Sequence, residues 1–187
     1  MAKRIVLLGA PGSGKGTQAA LLAEALEILA ISTGEMLRAA VAAGSELGEQ
    51  VESILNSGDL VDDATMADVV SERLARADAQ RGFVLDGYPR TVAQFDTLAA
   101  MLGEAGYSLD AVVQVEVPET ELVRRALARQ RADDTKEVIM KRLRIYEENT
   151  APLVDLYRER GLLRTIDGDQ SIGAVAAAIQ ASLEEAA

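Results

Sequence analysis

Gly9-Ala10-Pro11-Gly12-Ser13-Gly14-Lys15-Gly16-Thr17 follows a short apolar run, Ile5 to Leu8, and opens a helical pattern over Lys15–Leu26. A glycine-rich turn between a strand and a helix is the setting of a phosphate-binding loop. Its glycines let the backbone curl until successive N–H groups face one point. The helix N-terminus adds unpaired donors and a partial positive charge. Lys15 supplies a full charge on a flexible stem, suited to the outer phosphates of a nucleotide. Such loops usually carry Ser or Thr directly after the lysine; here that place is Gly16, and Thr17 follows.

Outward from this loop, short apolar runs alternate with helical patterns. Ile5 to Leu8, Ile28 to Ile31, Phe83 to Leu85, Ala111 to Val117 and Leu163 to Ile166 predict buried strands, being short, rich in branched residues and bounded by Gly, Asp or Pro. Helices are predicted over Lys15–Leu26, Glu35–Ala43, Glu46–Asn56, Ala64–Ala77, Val92–Glu104, Glu119–Ala128, Lys136–Tyr157 and Ile172–Leu183. This order favours an α/β fold, a five-stranded parallel sheet with helices on both faces and ligands beyond the carboxyl ends of the strands. Three helical segments with no strand lie between Ile31 and Phe83, which predicts a helical excursion from the core.

Composition removes several function classes. The 187 residues suffice for one domain with its own core, at 49% hydrophobic and 26% charged. With neither Cys nor His, there is no thiolate or imidazole metal site, no disulfide and no Ser-His-Asp triad. A net charge of −11 argues against nucleic acid and anionic lipid as partners. No run approaches a membrane span, and the N-terminal apolar stretch is too short for a signal peptide, so the expected compartment is the cytoplasm. No heptad or continuous apolar face appears, and a monomer is expected.

Against this acidic background, eight of the 19 Lys and Arg fall between Arg124 and Arg144. Arg124, Lys136, Lys141 and Arg144 fit a solvated helix face. Arg125 and Arg129 lie four apart and share a face. Arg suits phosphate because its planar fork offers paired donors. Asp86 ends the run Phe83-Val84-Leu85 and precedes Gly87. It reads either as a turn residue or, beside a phosphate loop, as a carboxylate holding Mg²⁺ through water.

Gly-x-Pro-Gly-x-Gly-Lys-Gly-Thr-Gln resembles the adenylate kinase family, a branch of the P-loop nucleoside monophosphate kinases. Ile31-Ser32-Thr33-Gly34-Glu35-Met36-Leu37-Arg38 resembles that family's monophosphate-site signature. Asp86-Gly87-Tyr88-Pro89-Arg90, with Gln94 beyond it, resembles the central motif, and Arg125, Arg129, Arg131, Asp133-Asp134, Arg142 and Thr150-Ala151-Pro152-Leu153 follow in family order. The resemblance covers essentially the whole chain. It implies a P-loop core over 1–31, 62–127 and 135–187, a helical monophosphate lobe over 32–61 and a very short lid over 128–134. It implies reversible transfer of a phosphoryl group from ATP to AMP, giving two ADP, with Mg²⁺ and without zinc.

Under that resemblance Gly12, Ser13, Gly14, Lys15, Gly16 and Thr17 hold the ATP phosphates, Arg129 contacts the donor nucleotide and Gln170 meets its adenine through the backbone. Thr33, Arg38, Asp59, Leu60, Val61, Gly87, Tyr88, Pro89, Arg90 and Gln94 hold AMP. Arg131 and Arg142 bridge towards the moving phosphoryl group, and Arg125 and Asp86 support the ATP·Mg²⁺ side. Thr33 also fits a helix N-cap, since Ser32-Thr33-Gly34-Glu35 resembles a capping signature. Its Thr, together with Gln94, speaks for AMP over UMP or CMP as acceptor. The full set of phosphate-binding residues speaks for an enzyme over a nucleotide sensor. The chain departs from the family at Glu27-Ile28-Leu29-Ala30 and at Asp62-Asp63, where turn stiffness and packing are at stake. The arginines, lying on separate pieces of chain, are expected to converge only around phosphate.

Overall fold

The computed structural model describes residues 3–131 and 134–184. Of the expected lid, Ala132 and Asp133 lie outside these residues. Five parallel strands form one sheet: β1 (Arg4–Leu8), β2 (Leu29–Ser32), β3 (Phe83–Asp86), β4 (Ala111–Glu116) and β5 (Leu163–Asp167), in the order β2-β3-β1-β4-β5. Register pairs Leu7 with Asp86 and with Val113, which sets the carboxyl ends of the central strands level. Alternation along the strands divides the core. Val6, Leu8, Phe83, Leu85 and Val112 face one layer, and Ile5, Leu7, Val84, Val113 and Val115 the other.

The second layer is made by α1 (Lys15–Leu26) and α9 (Ile172–Glu184), through Ala19, Leu22, Val175 and Ile179. The first is made by α2 (Thr33–Ala42), α3 (Glu46–Ser57), α4 (Asp63–Leu74), α5 (Val92–Glu104) and α8 (Pro152–Glu159). A third cluster joins α6 (Glu119–Arg129) and α7 (Lys136–Ile145) to the loop residue Ala10 through Leu122, Ala126, Ile139 and Leu143. The helix after β1 and the helix after β3 therefore pack on opposite faces, although the two strands are neighbours. The loops leaving them part, and a crevice opens between residues 9–14 and Asp86.

One expected element is corrected. The single helix over Lys136–Tyr157 is two helices separated by a π-helical turn, Tyr146–Thr150. Pro152 has no N–H to donate back and suits the first turn of a new helix, so the wider turn forms before it. The break has a use: it presents the buried Thr150, whose hydroxyl donates to the Arg90 carbonyl oxygen at 2.8 Å. Other boundaries shift by a few residues at most. Among the described residues no helix is long and apolar enough to cross a membrane.

Candidate active site

A cavity of about 780 Å³ lies at the carboxyl ends of the strands, within the size range of small-molecule sites. The residues from Gly12 to Thr17 line its floor. Gly12 has φ +92° and sits so close to α6 that a Cβ there would meet the Leu122 carbonyl oxygen at 2.5 Å. The loop therefore nests against the third cluster. Gly14, at the N-cap of α1, contributes no side-chain acceptor, which leaves the first-turn N–H groups for a ligand or water.

Cations converge on this floor from four helices and two loops. Lys15, Arg38, Arg90, Arg129, Arg131 and Arg142 all line the one cavity. Lys15 Nζ donates to the Ala10 carbonyl oxygen at 3.0 Å. Burial pushes its pKa down to about 8; Asp86 opposes this, and the charges of Arg90, Arg129 and Arg131 add to it. Arg90 is lowered as well, by burial first, against Asp86 and together with Arg142 and Arg38. In the structure these groups line the same cavity. Among the described residues, two carboxylates face several of them. Asp86 faces Lys15 and Arg90, and Asp134 takes a double hydrogen bond from Arg129, at 3.0 and 2.6 Å, with Arg142 at 3.8 Å.

Arg125 lines the cavity but gives its donors to protein acceptors. It bonds Glu121 at 2.6 Å, the Gly168 carbonyl oxygen at 3.0 Å and Asp169 at 3.4 Å. It ties α6 to the loop after β5, where Gln170 also borders the cavity. Asp86 closes β3 beside Gly16, whose hypothetical Cβ would stand 3.6 Å from its Oδ2. Among the described residues no three His, Cys, Asp or Glu gather into a metal cluster. One carboxylate beside a phosphate cradle fits Mg²⁺, which keeps several waters and takes its other ligands from substrate phosphates.

The other end of the cavity is bounded by Thr33, Arg38, Asp59, Leu60, Val61, Gly87, Pro89, Arg90 and Gln94. Thr33 is the first residue of α2. The N-cap is Ser32, which makes no side-chain cap, so the capping reading of Thr33 does not hold. Thr33 is 1% exposed and its hydroxyl donates to the Asp86 carbonyl oxygen at 3.4 Å. Gly87, at φ +85°, lies against it; a Cβ there would come within 2.6 Å of Thr33 Oγ1. Tyr88 is a correction. Its ring is buried in the first core layer, and Tyr88 is not among the residues that line the cavity, whereas Gly87, Pro89 and Arg90 are. The lobe carrying α2 and α3 reaches α7 through Lys141–Asp59 at 2.7 Å and an Arg142 bond to the Leu55 carbonyl oxygen at 2.9 Å.

Sequence analysis passes over Glu121; it names Asp63 only within a departure from the family, and Asp134 and Thr150 only as residues in family order, without their partners. For none of the four does the sequence name the partner. Three of them pair across elements, Asp63 with Gln94, Asp134 with Arg129 and Thr150 with Arg90, and Glu121 pairs with Arg125 one turn along the same helix.

A parallel α/β sheet with a phosphate loop at its crevice and a cavity that runs from that loop, past a cluster of cations, to a helical lobe defines a P-loop kinase of small phosphorylated acceptors. The family model described as Adenylate kinase matches residues 7–162. Curated adenylate kinases are similar over nearly the whole chain. That of Stenotrophomonas maltophilia (strain K279a) is 48% identical over 185 residues, 97% of this chain and 99% of its own. That of Chelativorans sp. (strain BNC1) is 47% identical over 193 residues, 98% and 100%. That of Xanthomonas oryzae pv. oryzae (strain MAFF 311018) is 47% identical over 184 residues, 96% and 98%. The chain belongs to the adenylate kinase family, and it is an enzyme of ATP:AMP phosphoryl transfer.

Proposed function

We propose that the chain catalyses ATP + AMP ⇌ 2 ADP with Mg²⁺, as a cytoplasmic monomer without zinc, through the residues gathered in this cavity. The observation that carries the reading is the convergence of Lys15, Arg38, Arg90, Arg129, Arg131 and Arg142 on one cavity. Phosphoryl transfer asks for positioning and charge stabilisation, and a chain lacking Cys and His can supply both. The loop from Gly12 to Thr17 cradles the donor phosphates, with Lys15 on the outer ones. Arg129 faces the donor nucleotide, and Gln170 offers its backbone to the donor adenine. Thr33, Arg38, the stretch Asp59 to Val61, Gly87, Pro89, Arg90 and Gln94 hold AMP. Arg131 and Arg142 meet the charge of the moving group, while Arg125 holds the ATP side in place through Glu121 and Gly168. Asp86 fits the role of holding Mg²⁺ through water; when bound, the ion neutralises phosphate charge. Residues 32–61 act as the acceptor lobe and 128–134 as a lid that keeps water from the transfer.

A coupled assay following ADP tests the whole. Formation should require both ATP and AMP, stop without Mg²⁺ and survive a zinc-selective chelator. Turnover with ATP alone, or zinc in stoichiometric amount whose removal unfolds the protein, contradicts it.

Acceptor choice has its own test. Thr33→Ala should weaken AMP binding by about 1–3 kcal/mol, the worth of a buried polar contact, and narrow the gap to UMP and CMP. The Michaelis constant for each monophosphate measures it. Unchanged AMP binding with a lower melting temperature would leave Thr33 a structural residue only.

A further inference from the structure

Gln94, 2% exposed, stands between partners of opposite kind. Its Oε1 accepts from the Arg90 main-chain N–H at 2.8 Å, and its Nε2 donates to Asp63 Oδ1 at 2.8 Å. The same Asp63 oxygen accepts from Thr91 Oγ1 at 2.9 Å, which in turn accepts from the Gln94 main-chain N–H at 3.2 Å. An N–H only donates and an ionised carboxylate only accepts, so these neighbours admit the carboxamide in one orientation and exclude its half-turn.

Each end of that amide keeps capacity for one more bond, a lone pair on Oε1 and an N–H on Nε2, and Gln94 lines the cavity. A carboxamide free to turn suits two purine edges equally. A 6-aminopurine offers an acceptor at N1 and a donor at position 6; a 6-oxopurine offers the same pair exchanged. We propose that Asp63 is the positioning residue that sets acceptor specificity: by pinning Gln94 it matches the amide to a 6-aminopurine monophosphate and against a 6-oxopurine one. The inference rests on the reading of Gln94 as the contact to the acceptor base. Asp63 opens α4, yet the helix start does not depend on its side chain. Asp62 caps it, accepting from the Thr65 N–H at 2.9 Å, and the Asp63 carboxylate turns to Gln94 and Thr91. The pair Asp62-Asp63 thus divides two tasks, capping and orienting.

The test compares kcat/KM for AMP and IMP, with the Michaelis constant for ATP and the melting temperature as controls. Asp63→Ala should lower the AMP:IMP ratio about tenfold, the effect of one charge-assisted hydrogen bond, with the ATP constant unchanged. Asp63→Asn keeps an acceptor oxygen and should restore the ratio to within about twofold of the parent. Asp63→Ser suits a helix first turn but is too short to reach Gln94, and replaces the alanine variant if that does not fold. In a Gln94→Ala background Asp63→Ala should change the ratio no further. An unchanged ratio in both Asp63→Ala and Asp63→Ser, or a fall matched by an equal rise in the ATP constant, overturns the proposal. If Gln94→Ala itself leaves AMP binding intact, the reading of Gln94 as base contact fails, and this inference with it.

Discussion

Lys15→Met is expected to lower kcat by about 10²–10³-fold and to leave the fold intact, the loss typical of removing a positioned electrostatic group from a reaction site. Lys15 is the first residue of α1, and its ammonium touches a loop carbonyl oxygen, not the core. Methionine keeps the stem and deletes the charge. Because the contact strengthens as charge shifts towards the leaving phosphate, kcat should fall more than ATP binding. A pH signature accompanies it. The folded pKa, about 8, lies below the ordinary 10.5, so between these values the unfolded chain holds a proton that the nucleotide-free enzyme has released. Stability of the free enzyme should therefore rise with pH across that window. Polyphosphate favours the charged form, so ATP affinity should fall over the same window and binding near pH 8 should take up a proton. Calorimetry in two buffers of different ionisation enthalpy measures this uptake, and Lys15→Met should abolish it. A variant with near-parental kcat would take Lys15 out of the mechanism.

The strand and helix order is legible because short branched runs and amphipathic patterns differ in period, and the strands are buried on both faces. Where boundaries slip, a polar residue hides in an apolar place. β1 begins at Arg4, one residue before its apolar run, because that side chain is buried with its guanidinium 3.6 Å from the Tyr107 ring centre. β3 runs one residue further, to Asp86, because its last residue pairs with Leu7 while its carboxylate turns to the cavity. The long helix over Lys136–Tyr157 is misread because its apolar spacing continues through Pro152. Pro152 opens a new helix there, and the use of the wider turn, the contact of Thr150 with Arg90, lies sixty positions away in the chain.

The phosphate-binding residues are legible for a different reason. Glycine at a positive φ and arginine near phosphate are chemical necessities, so they stand in compact motifs. The acids that organise them are not. Asp63 stands in a departure from the family and Asp134 only in family order, and neither position names its partner, since a carboxylate that positions another side chain needs no fixed spacing from it. Tyr88 shows the converse. It sits inside a motif of ligand contacts, yet its ring serves the core, because the backbone between Gly87 and Arg90 turns that side chain away from the cavity.

Asp134→Ala is expected to cost on the order of 10²-fold in kcat, although this carboxylate faces cations and not the reacting atoms. Its side chain is 1% exposed. It accepts two hydrogen bonds from Arg129 at the end of α6 and one from the Arg131 main-chain N–H at 3.0 Å, with the Arg142 guanidinium of α7 at 3.8 Å. Burial works to raise its pKa, and the bonds and charges of Arg129 and Arg131 outweigh this, so the carboxyl is held below its ordinary value. Its contribution is therefore present above about pH 4 and lost only as pH falls through that depressed value, leaving the neutral range unaffected. Without the carboxylate, Arg129, Arg131 and Arg142 repel one another and lose the geometry that meets the phosphates. Phosphates restore part of the compensation in the ground state, so nucleotide binding should weaken less than turnover. Asp134→Asn, which keeps one acceptor and loses the charge, should fall between parent and alanine. Single-turnover rates with saturating ATP and AMP, beside melting temperatures of all three proteins, separate misplacement of the arginines from loss of folded protein. A kcat for Asp134→Ala within threefold of the parent would mean that the lid arginines find their places on the phosphates unaided, and that the carboxylate serves stability alone.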